Sequence, residues 1–275
     1  MEQAKRVSVP EGSESKGYYK YYLRDLAPCS LEKQMLQKMG PGDSANALDI
    51  ADRAKLMDPG YLPDEIGYYL LDNGAACVSN NTFFKGSTGE MLQWWFAWHG
   101  LDPLRYAIWD PFDHYNTELD EASRAKILDP NTSIPDKCFD VEHLVTESLV
   151  IGDPGIPIAI HFKTPEEMGF DRTKLGTKEF SFFVGGNVEI ITPEGQPNVP
   201  IVMIHTARDV EGGCELRSRF WMGYHIIDGQ GVCLLPPGFK FPEVLVKQLL
   251  GHNFTEYTNL ASILPDVYKE NVGTW

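Results

Sequence analysis

The chain has 275 residues, 43% of them hydrophobic, and a formal net charge of −15, which is ample apolar material for one large domain or for one domain with a smaller companion. The acidic balance, without any Lys/Arg run, argues against nucleic acid and anionic membranes as partners. No apolar run reaches the roughly 20 residues that span a bilayer, and the opening MEQAKRVSVPEGSESKG lacks the apolar stretch of a secretory signal, so a cytoplasmic location is expected.

The first ~15 residues are polar and read as frayed. From Tyr18 to about Leu70, short helical runs (SLEKQMLQKM, ALDIADRAKL) alternate with Pro and Gly breaks, which suggests a small N-terminal region over 1–70 ahead of a main domain over 71–275. STGEMLQWWFAWHG is the first strong helix, with Ser87 and Glu90 at capping-box spacing and Gly100 where a C-terminal cap is expected. RYAIWD, VEHLVTESL, IPIAIHF, EFSFFVGGNVEIIT, VPIVMIHTARDV and CELRSRFWMGYHIID then carry strand signals, and EGG between the last two predicts an antiparallel hairpin. The chain closes with a long helix, Pro242 serving as its first residue and Pro265 as its stop. Many strands followed by one terminal helix predict an α+β fold, a curved antiparallel sheet wrapped on that helix. The five cysteines, Cys29, Cys77, Cys138, Cys214 and Cys233, are odd in number and far apart, and read as free thiols.

The terminal helix carries an anomaly. At about 100° per residue with His252 at zero, Leu245, Glu256, Leu249, Leu260 and Ile263 fall at roughly 20°, 40°, 60°, 80° and 20°. His252 and Glu256 therefore lie in the apolar stripe, while Lys247, Gln248, Thr255, Thr258 and Ser262 take the far side. A carboxylate buried alone costs several kcal/mol, so Glu256 must be protonated, paired with a cation or bound to a metal. Spacing of i, i+4 lets one ion reach both side chains, although a hydrogen-bonded core pair would satisfy the same pattern.

A second anomaly lies in VEHLVTESL. Alternation puts Val141, His143, Val145, Glu147 and Leu149 on one face, so Glu147 also sits among apolar neighbours. His114 follows Asp110, Pro111 and Asp113 at a strand end, a usual place for a ligand and equally for a solvated loop. His143, His161, His205 and His225 read as ordinary core or surface histidines.

Taken in order, KGYYKYYL, NTFF, MLQWWFAWHGLDPLRYAIWDPFDH, HLVTESLVIG and LLGHNFTEY resemble the zinc-dependent acylphloroglucinol hydrolases, from about Lys16 to the C-terminus. The resemblance implies a Bet v1-like helix-grip domain with a smaller N-terminal domain, and a Zn2+ held by His114, Glu147, His252 and Glu256. It also implies that Tyr106 contacts the phenolic ring, that an asparagine after the first histidine falls on Thr117 beside Asn116, and that Tyr224 is a second contacting tyrosine. Tyr106, Glu147 and Tyr224 are thereby the expected catalytic residues. The implied reaction is hydrolysis of the carbon–carbon bond between an acyl carbonyl and a trihydroxylated ring, with phloretin as the first expected substrate and 2,4-diacetylphloroglucinol as the second. Trp94, Trp95, Trp98, Phe180, Phe182 and Trp221 are expected walls of the acyl channel, or ordinary core. A homodimer is an allowed outcome that no motif sets.

There is no G-x-S-x-G, so Ser/His/Asp catalysis has no support. The alternative of another class is a non-catalytic helix-grip protein that simply binds hydrophobic ligands.

Overall fold

The computed structural model describes residues 5–275. The frayed start expected at the N-terminus lies partly outside these residues, and from Val7 onward the chain is docked. Val7 N donates to Pro111 O at 2.9 Å, and Tyr22 Oη donates to Val7 O at 2.7 Å.

Short helices α1 (Tyr19–Tyr22) and α2 (Leu31–Leu36) and a 3-10 stretch, Ile50–Met57, precede the strands β1 (Gly67–Leu70) and β2 (Ala76–Lys85). Helices α3 (Gly89–Trp98) and α4 (Pro103–Ala107) follow, then β3 (His114–Leu119), α5 (Glu121–Leu128), β4 (Val141–Glu147), β5 (Ile156–Phe162), β6 (Phe182–Ile190), β7 (Val199–Val210) and β8 (Gly213–Met222). The hairpin β9 (Tyr224–Ile227) and β10 (Gln230–Cys233) leads to α6 (Glu243–Asn271). Eight strands form one antiparallel sheet in the order β1-β2-β8-β7-β6-β5-β4-β3. Glu211 and Gly212 make the β7–β8 turn, Val210 pairing with Gly213 and Gly212 taking φ 79°.

The sheet must curl around α6. β2 and β3 stand six places apart in the order, about 29 Å if the sheet were flat, whereas a helix is only about 10–12 Å across. Yet α6 touches both: Asn80 on β2 donates to Asn253 Oδ1 at 2.7 Å, and His114 on β3 has its ring centroid 5.4 Å from that of His252. This is the α+β helix-grip arrangement expected from the order of elements. The buried stripe of α6 includes Leu249, Leu260 and Ile263, while Leu245 lies exposed in the first turn.

Five local expectations need correction. RYAIWD is not a strand: Asp102 accepts from Leu104 N at 3.0 Å with Pro103 in the first turn, which nucleates α4 instead. Thr88 rather than Ser87 caps α3, and Gly100 does not end it, because the chain continues as a 3-10 turn through His99–Leu101. Pro242 is the N-cap of α6 rather than its first residue. Pro265 does not stop α6, which runs on to Asn271, with Leu264 just before the proline and Val267 just after it both fully buried. The strands β1, β2 and β3 carried weaker signals and were not predicted.

The boundary expected near Leu70 falls at the end of β1, whose four residues pair with β2. Tyr18, Tyr21, Leu48 and Leu56 from the N-terminal segment join the same contiguous core as the sheet and α6. Arg217 and Arg219 on β8 hold Glu65 and Asp64 through buried ion pairs.

Candidate metal centre and adjoining cavity

The turn before β3 builds the first ligand. Asp110 Oδ1 accepts from Phe112 N at 3.0 Å and Asp113 N at 3.3 Å, and Asp110 O accepts from His114 N at 3.1 Å. The ladder then places His114 directly opposite Glu147, and a bulge between His114 and Asn116 shifts the register beyond it. Directly opposed residues bring their Cβ atoms to about 5 Å, so strand pairing alone juxtaposes an imidazole and a carboxylate. From α6, His252 and Glu256 arrive one turn apart, both buried.

His114 Nε2 lies 3.4 Å from Glu147 Oε2 and 3.7 Å from Glu256 Oε2, and His252 Nε2 lies 3.7 Å from Glu147 Oε2. His114, His252 and Glu256 offer donor atoms all within 4.8 Å of one another. Four donors set tetrahedrally about 2.1 Å from a central ion stand about 3.4 Å apart. The spacing therefore fits a single divalent ion. His114 Nε2 is buried without a hydrogen-bond partner, a costly state that a metal would relieve. Two carboxylates and two neutral imidazoles would also balance the charge of Zn2+.

The surrounding groups orient these four. His114 Nδ1 lies 3.3 Å from Tyr106 O, which fixes the proton there and leaves the Nε2 lone pair facing Glu147. Asp113 Oδ2 stands 3.6 Å from His252 Nδ1, too far for a hydrogen bond but close enough for its charge to be felt. Asn80 holds Asn253, and Asn253 Nδ2 donates to Glu256 Oε1 at 2.9 Å. Tyr106 Oη donates to Glu147 Oε2 at 2.7 Å, and its ring stacks on His114 at 4.1 Å and 8°.

The charges are strongly coupled. Burial disfavours the anion at Glu147, but His252, His114 and the Tyr106 hydroxyl outweigh it and hold the carboxyl below its usual range. Burial, reinforced by the nearby Glu147 and Asp110, drives Glu256 well above that range. Burial opposes a charge on His252, yet Asp113 and Glu147 prevail and keep it protonated. Burial brings His114 down to about 3, so it is a neutral donor. Without a cation, protons do the neutralising.

Beside the cluster lies a small cavity of about 60 Å³, lined among others by Phe96, Trp109, Val145, Phe162, Met203 and Phe220. Tyr106, Glu147, His252 and Glu256 line it too, together with His99, His143, His205 and Tyr257. Tyr257 Oη lies 3.0 Å from His205 Nε2, and His205 Nδ1 lies 2.8 Å from Ser218 Oγ.

The structure thus brings His114, Glu147, His252, Glu256 and Tyr106 together. It does not bring Tyr224 there: that residue is on the β9 hairpin, where its hydroxyl accepts from Asn73 at 2.7 Å. The second tyrosine at the cavity is Tyr257, which directly follows Glu256. Thr117 is buried beside the bulge with an unpaired hydroxyl, whereas Asn116 turns to Glu118 at 2.8 Å. None of Trp94, Trp95, Trp98, Phe180, Phe182 and Trp221 lines the cavity, and all six are buried core. Alternation explains one exchange: Phe220 faces the cavity, so Trp221 points away and donates to Leu48 O at 2.9 Å. Sequence reasoning missed His99 and Tyr257 and left His143 and His205 as ordinary core. The only signal was that His143 shares the face of Glu147.

The family model described as the DAPG hydrolase PhiG domain matches residues 48–269. The phloretin hydrolase of Eubacterium ramulus is 34% identical, the match covering 98% of this chain and 96% of that protein. The 2,4-diacetylphloroglucinol hydrolase of a Pseudomonas species is 28% identical, with 93% and 88% covered. Among solved structures, that of Ara h 8.0201 overlaps with a TM-score of 0.40 at 9% identity, covering 70% of this chain and 99% of that one. A likeness that loose carries no argument, and the fold rests on the strand order and on α6.

Proposed function

We propose, from the premise that this chain belongs to the DAPG hydrolase family, that it hydrolyses the carbon–carbon bond between an acyl group and a phloroglucinol ring, with phloretin as substrate and Zn2+ as cofactor. The observation that supports this best is the convergence of a buried carboxylate, Glu256, a partly buried one, Glu147, and two buried imidazoles on one point at the wall of an aromatic-lined cavity. A helix-grip protein that only sequesters hydrophobic ligands has no use for such a cluster, whose burial is costly. Phloretin is preferred over diacetylphloroglucinol because the phloretin-named relative is the more similar of the two.

Phloroglucinol chemistry makes the bond breakable. When a ring hydroxyl ketonises, the acyl-bearing carbon takes a proton and the substrate becomes a β-diketone. The oxygen of water then bonds to the acyl carbon, the bond from that carbon to the ring breaks, and its electron pair returns to the ring as an enolate that rearomatises. The products are phloroglucinol and a carboxylic acid.

Zn2+, held by His114, Glu147, His252 and Glu256, would supply Lewis-acid polarisation of oxygen at the cavity wall. The protein's own groups do the rest. Tyr106 keeps its proton, since burial and the neighbouring Glu147 charge raise its pKa well above the ordinary value. Its one proton goes to Glu147 Oε2, so towards the cavity the Tyr106 oxygen is an acceptor, suited to hold a ring hydroxyl that donates to it. Glu147, ionised and within reach of Tyr106, can accept a proton from the reacting water. Tyr257 and His205 form a neutral polar pair on another part of the wall, burial lowering His205 to about 3. Phe96, Trp109 and Phe220 exclude bulk water.

Among the described residues no helix is long and apolar enough to cross a membrane. All five cysteines are unpaired, in keeping with a cytoplasmic protein. The test is metal analysis of the purified protein with chromatography of products from phloretin and from mono- and diacetylphloroglucinol. Bound zinc and release of phloroglucinol from phloretin are expected. Preference for diacetylphloroglucinol would move the substrate assignment, and no cleavage of any of the three would overturn the activity.

A further inference from the structure

His143 is an unusual residue on the cavity wall. It is buried, yet neither ring nitrogen has a hydrogen-bond partner. Leaving both polar atoms of a buried neutral imidazole unmet is costly. The fold nevertheless makes room for it: a Cβ on Gly100 would lie 2.5 Å from His143 Cε1, so only glycine admits the ring there. Burial and the neighbouring His99 keep His143 uncharged. A neutral imidazole offers one N–H donor and one lone pair, the complement of a hydroxyl.

Its place along the strand says which hydroxyl. His143 and Glu147 share one face of β4, four residues apart, which is about 13 Å. Between them on that face stands apolar Val145, and Ile160 and Phe162 of the neighbouring strand also line the space. A row of rings runs the same way: His114 to Tyr106 at 4.1 Å, Tyr106 to His99 at 5.8 Å, and His99 to His143 at 5.5 Å. His99 Nδ1 is committed to Trp95 O at 3.0 Å, so its Nε2 is left as an acceptor. The cavity therefore has a polar reacting end, an apolar middle and a second polar end.

We infer that His143, backed by His99, is a specificity-determining residue that hydrogen-bonds a hydroxyl at the far end of the substrate's acyl arm. This rests on the acylphloroglucinol reading above and names the arm it fits. In a 3-(4-hydroxyphenyl)propanoyl arm the phenolic oxygen lies about 8 Å from the carbonyl carbon, given carbon–carbon bonds of about 1.5 Å. A further hydrogen bond of about 3 Å brings the reach close to the separation of Glu147 and His143. An acetyl arm stops in the apolar middle and leaves His143 unmet.

The experiment compares kcat/KM for phloretin and for its analogue lacking only the arm hydroxyl, in the wild type, His143→Leu and His143→Gln, with acetylphloroglucinol as a third substrate. Equilibrium binding of 3-(4-hydroxyphenyl)propionate against 3-phenylpropionate gives a readout independent of turnover. The wild type is expected to favour the hydroxylated arm about tenfold or more. That ratio should fall towards one in His143→Leu and be partly restored in His143→Gln, which keeps a donor and an acceptor. A wild type that cleaves acetylphloroglucinol yet treats the two longer arms alike overturns the inference and leaves the family activity standing, even if the variants do not fold. The same ratio in wild type and His143→Leu also overturns it, and a wild type that cleaves none of the three substrates overturns both readings.

Discussion

Tyr106 donates to Glu147 Oε2 at 2.7 Å, on the same oxygen that lies 3.4 Å from His114 Nε2 and 3.7 Å from His252 Nε2. One carboxylate oxygen thus faces both histidines of the candidate metal site and the phenol that borders the cavity. Replacing Tyr106 by Phe removes that donor while keeping the ring stacked on His114. Turnover measured as kcat/KM should fall by about ten- to a hundredfold, with metal content unchanged. An unaffected rate would make Tyr106 a packing residue.

Asn253 links Asn80 on β2 to Glu256 on the same helix. Its amide holds Glu256 Oε1 and leaves Oε2 towards His114. Asn253→Ala should therefore weaken zinc binding by about 10–100-fold in competition with a chelator, the usual cost of removing a group that orients a ligand. Equal affinity in variant and wild type would show that Glu256 needs no such support.

Much of the site could be read in the sequence because burying a carboxylate is expensive. Glu256 in the stripe of Leu249, Leu260 and Ile263, and Glu147 beside Val145, were each conspicuous on periodicity alone. The residues that orient them were not, since Asn80, Asn253 and Asp113 are ordinary polar letters until the fold brings them near. His143 and His205 were unreadable for the converse reason: a histidine in an apolar strand is unremarkable unless its partners are known. Tyr224 was placed at the site by resemblance, and Gly223, with φ 97°, separates it on the β9 hairpin from β8. On the fold side, the strands from β4 to β8 were legible from β-branched and aromatic alternation. β1 was too short to register, and in RYAIWD the Asp-Pro cap outweighed the strand-like composition.

Glu65 is predicted to govern part of the acid sensitivity. Burial opposes its charge, but Arg217 and Arg219 more than compensate and lower its pKa below the ordinary 4.5. The sign follows from linkage: a depressed carboxyl contributes stability above its unfolded pKa and loses it as pH falls through the folded value. The thermal midpoint should therefore drop as pH falls below about 4.5, and Glu65→Gln should be less stable at neutral pH with a shallower acid decline. A variant whose midpoint follows the wild-type curve at every pH would refute this.

Pro265 interrupts α6 without ending it. It supplies no N–H for the carbonyl of Ala261, and its ring crowds that turn. Pro265→Ala should raise the stability measured by denaturant unfolding, by up to about 3 kcal/mol. A loss of stability would mean that the proline itself is needed for Leu264 and Val267 to pack.

The most direct test of the account is zinc analysis of wild type and Glu256→Ala, purified alike, with thermal unfolding to confirm folding and turnover of phloretin assayed with and without chelation. The prediction is one zinc per folded wild-type chain, an empty site and no turnover in Glu256→Ala, and loss of activity when the wild type is stripped, restored by adding zinc. Full zinc occupancy in Glu256→Ala, or full activity in metal-free wild type, would contradict it.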